Sequence, residues 1–286
     1  MAITEPRLRA AGCDSPRLDA QILLAEVLKI DRARLLLDPS RELTDEQSDQ
    51  YASLVAERIA RKPLAKIIGR KEFWSLDFAV STAVLDPRPD SETLVEAAIQ
   101  IADRTPVDHP LTLCDLGTGS GCLIIALLKE LTTARGIGLD SSAAALEIAR
   151  FNGQNLASQI PNLDQRLEWR QADWREASLP IADIYIANPP YIALESKADL
   201  APELDYEPAN ALFADDQGLA EYRAIIEALV KASQPSQFWL LFELGEGQEG
   251  AVRTLLTGAG FTMVYNRNDL RGRVRMIGGH YFRETQ

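Results

Sequence analysis

The sequence predicts an α/β protein, a mostly parallel seven-stranded sheet preceded by a small N-terminal bundle of helices. Three observations carry this. Apolar residues at helical spacing fill about the first 65 positions. From Thr105 onward, short β-branched runs alternate with helices. A glycine-rich loop joins the first of these strands to the helix that follows it.

The bundle is marked by its helix starts and stops. Asp14-Ser15-Pro16 places capping oxygens beside a proline suited to a first helical turn, and Leu18, Ile22, Ala25 and Leu28 follow at helical spacing. Asp31 can cap a short second helix through Leu37, stopped by Pro39. Thr44-Asp45-Glu46-Gln47 fits a capping box, and its helix runs to about Arg61 before Pro63. Gly69 to Val80, rich in aromatic and β-branched residues, reads as a hairpin. Leu85-Asp-Pro-Arg-Pro-Asp-Ser-Glu92 is a proline-stiffened approach to another helix, with Asp90 or Ser91 as its cap.

Five candidate sheet strands follow, at 111–114, 136–139, 167–170, 183–187 and 238–243. The helix after Gly121 is apolar nearly all round, so it lies against the sheet. Two last strands, around 261–265 and 274–278, flank the turn-rich Asn266 to Asp269 and read as a closing antiparallel hairpin. The expected organisation is a helical domain over 1–68, a hairpin linker over 69–85, and the α/β domain over 86–286.

Composition narrows the function. With 46% hydrophobic and 25% charged residues the balance is that of a soluble globular chain. No apolar run reaches the roughly 20 residues of a membrane span, and no secretory signal is seen, so a cytoplasmic protein is expected. Cys13, Cys114 and Cys122, with His109 and His280, show no metal-ligand spacing, so no metal site is expected. The net charge of −12 disfavours broad phosphate neutralisation, and suits a basic protein partner better than nucleic acid.

The chemistry lies at the ends of strands, where open α/β sheets bind ligands. Asp115-Leu-Gly117-Thr118-Gly119-Ser120-Gly121 follows the first strand, and its glycines let backbone approach a ligand closely. Asp140 ends the second strand, where a carboxylate can accept from both hydroxyls of a ribose. Asp173-Trp174 follows the third, with an acceptor for an exocyclic adenine amine and an indole to cover the adenine face. No lysine follows the loop as in a phosphate-binding site, which fits a cofactor without phosphate. Asn188-Pro189-Pro190-Tyr191 ends the fourth strand. The Asn188 side-chain oxygen and the Pro189 carbonyl can accept the two N–H bonds of an incoming NH2 group, and Tyr191 can lie against a planar amide or base. Holding both N–H bonds favours pyramidalisation of an otherwise delocalised nitrogen. No Asp, Glu or His stands in this turn, so no general base is assigned.

The order of loop, first acid and second acid resembles class I S-adenosylmethionine-dependent methyltransferases, which have a Rossmann-like sheet. The rest of the chain sharpens the likeness. Gly69 to Leu76, Pro87 to Glu96, Asp115 to Gly121, Asp173-Trp174, Asn188 to Tyr191, Tyr206-Glu207-Pro208, Asp216 to Arg223, Glu243 to Gln248 and Asp269 to Arg273 occur in this order. Together they resemble the PrmC/HemK family of release factor glutamine methyltransferases. The resemblance implies S-adenosylmethionine as cofactor, and the glutamine of the Gly-Gly-Gln motif in class I peptide chain release factors as substrate. It also implies an N-terminal helical domain that helps dock that substrate. The alternative is a DNA or RNA exocyclic-amine methyltransferase, for which neither a positive track nor a target-recognition region is evident.

Overall fold

The computed structural model describes residues 3–37, 41–105, 108–176, 178–231 and 236–283. The chain divides into two compact units, Met1–Arg70 with Ala201–Tyr206, and Lys71–Leu200 with Glu207–Gln286.

The first unit holds α1 (Thr4–Ala10), α2 (Pro16–Leu28), α3 (Arg32–Leu37), α4 (Asp45–Ile59) and α5 (Leu64–Ile68). Thr44 forms the expected capping box: its hydroxyl accepts from Gln47 N–H, and Gln47 Oε1 accepts from Thr44 N–H. Ser15 sits at the N-cap of α2 with Pro16 behind it, but its side chain makes no cap bond. Pro39, expected to stop α3, lies outside the described residues. Leu8, Leu23, Leu28, Tyr51 and Val55 form the interior. One ion pair is buried there: Arg58 Nε donates to Asp19 Oδ2 at 2.8 Å, both side chains being under a tenth exposed. Residues 201–206, remote in sequence, are tied in through Glu203, whose Oε1 accepts from Arg58 Nη1 at 3.1 Å and whose Oε2 accepts from Arg61 Nη2 at 2.7 Å. Tyr206 OH donates to the Ala60 carbonyl at 2.8 Å.

The second unit begins at Lys71, inside the hairpin of β1 (Arg70–Phe73) and β2 (Leu76–Ala79). The hairpin does more than link: Phe73, Leu76 and Phe78 are buried in a core with α6 (Glu92–Arg104) and α7 (Cys122–Glu130). The expected parallel sheet is formed by β3 (Thr112–Leu116), β4 (Arg135–Asp140), β5 (Leu167–Gln171), β6 (Ile184–Ala187) and β9 (Gln237–Glu243). Two short strands, β7 (Ile192–Ala193) and β8 (Phe213–Ala214), pair separately. The last two, β10 (Phe261–Asn268) and β11 (Val274–Phe282), are antiparallel, giving the order β10-β11-β9-β6-β3-β4-β5. β10 continues through Asn268, so Asn266, Arg267 and Asn268, which the sequence placed in the turn, are paired in the strand. The turn is held instead by Asp269, whose Oδ1 accepts from the backbone N–H groups of Arg271 and Arg273.

Side chains alternate between two cores, as strand geometry requires. Leu113, Ile184, Ile186 and Leu241 face α6 and α7, whereas Leu116, Tyr185, Leu240 and Phe242 face α11 (Ala220–Lys231) and α12 (Glu249–Gly258). Residues 122–128 of α7 are buried all round, as their apolar composition requires. α8 (Ala143–Leu156) and α9 (Leu163–Arg166) connect β4 to β5, and the kinked α10 (Asp215–Gly218) precedes α11. No helix among the described residues is long and apolar enough to cross a membrane.

Arg58→Ala leaves the Asp19 carboxylate buried without its partner, which should destabilise the first unit by about 3–5 kcal/mol. Urea unfolding of the full chain followed by circular dichroism reads this. An unchanged transition would show that the pair contributes nothing to stability.

Candidate active site

A cleft opens at the carboxyl ends of the parallel strands. It is lined by Gly117, Thr118, Gly119 and Ser120 from the loop after β3, Asp140 to Ser142 after β4, Trp174 after β5, and Asn188 and Pro190 after β6. Ala83 to Arg88, Ser91, Cys122, Leu123, Ala145, Pro208, Asn210 and Ala211 complete the lining. Gly121, Asp173, Pro189 and Tyr191, also singled out in the sequence, are not part of this lining.

The loop turns through positive φ at Gly117, Gly119 and Gly121. The N–H groups of Gly117 and Thr118 donate to the Leu139 carbonyl at 2.8 and 2.9 Å, locking the loop onto β4. Gly121 serves packing as well: a Cβ there would stand 2.8 Å from the Trp169 ring. Asn152, which carries no local sequence signal, ties three pieces together. Its Nδ2 donates to the carbonyls of Ser120 and Ala79, and its Oδ1 accepts from Ala79 N–H.

Asp140 is aimed by backbone. Its Oδ2 accepts from Gly119 N–H and its Oδ1 from Ser142 N–H, both at 2.9 Å. Burial raises its carboxyl, while these hydrogen bonds lower it. Trp174 packs against Gly117, and its Nε1 donates to Glu221 Oε2 at 3.0 Å, so the indole is held from both ends. Asp173 Oδ1 instead accepts from Arg175 N–H. Beneath the loop, Asp115 Oδ2 accepts from the Thr118 hydroxyl at 2.6 Å, and Oδ1 has no hydrogen-bond partner among the described residues. Desolvation pushes Asp115 up to about 7.

This donor set fits a nucleoside cofactor carrying a sulfonium rather than phosphates. The lining has an acidic group at Asp140, an indole and open backbone, and no lysine. Its one guanidinium, Arg88, is paired with Glu207 Oε1 at 3.0 Å, tying the rim together as a structural contact.

The Asn188 turn is anchored by residues whose roles the sequence left open. Tyr191 OH donates to Glu243 Oε1 at 3.4 Å. Burial, and next the Glu243 carboxylate beside it, raise the Tyr191 phenol, so it stays protonated. Gln248 Nε2 donates to the Tyr191 carbonyl at 2.9 Å, and its Oε1 accepts from Gly245 N–H at 3.1 Å. Gly218 permits this: a Cβ there would stand 2.1 Å from the Tyr191 carbonyl oxygen. Of Asp90 and Ser91, either of which the sequence predicts to cap α6, Ser91 occupies the N-cap position but no side chain makes a cap bond there; the Ser91 hydroxyl is turned to Glu243 Oε2.

The PrmC N-terminal domain family matches residues 2–69. A release factor glutamine methyltransferase of Cereibacter sphaeroides is 40% identical over 95% of this chain and 94% of its own length. One from Vibrio cholerae is 37% identical over the whole of this chain and 96% of its own. Among solved structures, the hMettl16 catalytic domain in complex with a MAT2A 3′UTR hairpin aligns with a TM-score of 0.59 at 15% identity, covering 86% of each chain. That likeness is one of fold.

Asp115 and Glu243 are both raised to about 7 by burial, from ordinary values of 3.8 and 4.5. Between those limits the native chain holds protons that the unfolded chain has released, so stability falls as pH rises through the window. The cofactor-free protein should therefore melt at a lower temperature at about pH 7.5 than at about pH 5.5, and Asp115→Asn should flatten the slope. An equal slope in wild type and variant, by scanning calorimetry, would remove Asp115 from this effect.

Proposed function

This chain belongs to the family of release factor glutamine methyltransferases, and from that membership we propose that it transfers a methyl group from S-adenosylmethionine to the side-chain amide nitrogen of the Gly-Gly-Gln glutamine in a class I release factor. The observation that carries the reading is that Asn188 opens into the same cleft as the glycine loop, Asp140 and Trp174. A planar nitrogen held by Asn188 and a cofactor held by that loop would meet within it.

In this reading Gly117 to Gly121, Asp140, Asp173 and Trp174, with Asn188 beside the methionine part, would hold the cofactor, which supplies an electrophilic methyl on its sulfonium. Asn188 Oδ1 and the Pro189 carbonyl accept the two N–H bonds of the glutamine amide. That grip turns the nitrogen lone pair out of conjugation and stabilises positive charge growing on it. Pro190 has no N–H to compete for the Pro189 carbonyl. Tyr191, anchored through its hydroxyl to Glu243, offers its ring to the amide plane. Methyl transfer leaves the amide as an N-protonated cation, which is strongly acidic, so it loses that proton to water without a dedicated base and yields the neutral N-methyl amide. The helical unit, matched by the PrmC N-terminal domain, serves to dock the release factor. The net charge of −12 supports a protein over a nucleic acid as substrate.

Asp140→Ala should weaken S-adenosylmethionine binding about tenfold or more, through loss of charge-assisted hydrogen bonds worth roughly 1.5–3 kcal/mol. Calorimetry giving an unchanged Kd would take Asp140 out of the site. Mass spectrometry of the Gly-Gly-Gln tryptic peptide, after incubation of unmodified release factor with enzyme and cofactor, should show one added methyl on the glutamine. Asn188→Ala should slow its appearance by on the order of 100-fold in single turnover. Faster labelling of tRNA or duplex DNA than of release factor would overturn the substrate assignment.

A further inference from the structure

A primary amide has two different ends, and only the oxygen of Asn188 can accept an N–H. Which end meets the substrate is decided by what holds the other. Asn188 Nδ2 donates to Ser91 Oγ at 3.4 Å, and Ser91 Oγ in turn donates to Glu243 Oε2. A hydroxyl has a single proton. With that proton committed to a carboxylate, Ser91 presents only lone pairs to Asn188, and only the NH2 end can satisfy them. We propose that Ser91 and Glu243 are positioning residues for methyl transfer, a polarity relay that fixes the Asn188 amide with Oδ1 toward the substrate nitrogen. The proposal rests on the function argued above.

Two further features support it. Ser91 is itself helical, closing the turn Pro89–Ser91 that runs into α6, and its hydroxyl bonds Glu243 rather than any helix N–H. Glu243 is itself 2% exposed, and its other oxygen accepts from Tyr191 OH, so one carboxylate orders both ends of the Asn188-to-Tyr191 turn. A polar pair buried this deeply beside the reacting position is costly unless its geometry is used.

The relay has a pH signature. A protonated Glu243 can donate to Ser91, freeing the Ser91 proton to point at Asn188 and letting the amide turn over. Glu243 is raised to about 7, chiefly by burial, with the Ser91 hydrogen bond, Arg275 and the Tyr191 hydrogen bond opposing the rise and Asp90 adding to it. Among the described residues Tyr222 and Cys122 are further titratable neighbours, and burial raises both. Oδ1 is therefore held toward the substrate above about pH 7 and released below it.

The test compares wild type, Ser91→Ala and Glu243→Gln, with unmodified release factor as substrate. Both variants should lose kcat by on the order of 10- to 100-fold, the cost of a misdirected contact, while S-adenosylmethionine affinity by calorimetry stays near wild type. Wild-type kcat should rise through about pH 7, and that of Glu243→Gln should not. In the 15N-labelled protein without substrate, the Asn188 side-chain NH2 resonance, assigned by its loss in Asn188→Asp, should shift over the same range only in wild type. Unchanged kcat in both variants overturns the proposal, as does a kcat loss matched by an equal loss of cofactor affinity, or an Asn188 resonance blind to pH. A wild type that shows the shift yet leaves release factor unmethylated sinks the substrate reading and leaves the relay standing.

Discussion

Parallel pairing of β9, β6, β3 and β4 sets where every part of the site can be. The register pairs Leu116 with Leu139 on one side and with Ala187 on the other, and Ala187 with Phe242. One residue further along each strand come Gly117, Asp140, Asn188 and Glu243, so these four stand in one row across neighbouring strands. Adjacent strands lie about 4.8 Å apart, so the row spaces the groups by roughly one strand width each. A slip of one residue in any strand would turn its terminal side chain to the opposite face. The two cores that sandwich the sheet therefore do more than stabilise it, since Leu113, Ile186 and Leu241 on one face and Leu116, Tyr185 and Phe242 on the other hold the row in step.

That row divides the chemistry. The Gly117 and Asp140 side is built from backbone and carboxylate, suited to a nucleoside. The Asn188 and Glu243 side is built from a directed amide and a buried acid, suited to an NH2 group. Burial is what gives both sides their character. Asp115 and Glu243 are forced up to about 7 because water is excluded around them, and the same exclusion strengthens each hydrogen bond to a developing charge. Placing two desolvated carboxyls under one cleft costs stability, and the apolar α7 and the aromatic pairs Tyr185–Phe238 and Tyr222–Phe242 help to offset it.

The sequence made the strand-end motifs legible because each is local. The glycine loop, the acid ending β4 and the Asn188 turn are read from neighbours in the chain, as is the capping box at Thr44. What it hid is long-range. Ser91 looks like a helix cap until the fold brings Glu243 beside it from 152 residues away. Asn152 reads as an ordinary helix residue, although it joins β2 to the glycine loop. Gln248 carries no local signal for its bond to the Tyr191 carbonyl. Residues 201–206 look like a loop of the α/β domain, and long-range contacts, Glu203 with Arg58 and Arg61 and Tyr206 with the Ala60 carbonyl, place them in the helical unit. The helices α1 and α5 are too short for periodicity to show them.

The measurement that bears most directly on the account is a crystal structure with S-adenosylhomocysteine and a Gly-Gly-Gln peptide bound together. The glutamine nitrogen should lie within about 3.2 Å of both Asn188 Oδ1 and the Pro189 carbonyl, with Ser91 between Asn188 and Glu243. A glutamine seated with its carbonyl oxygen toward Asn188, or held outside the row formed by Glu243, Asn188, Gly117 and Asp140, would contradict it.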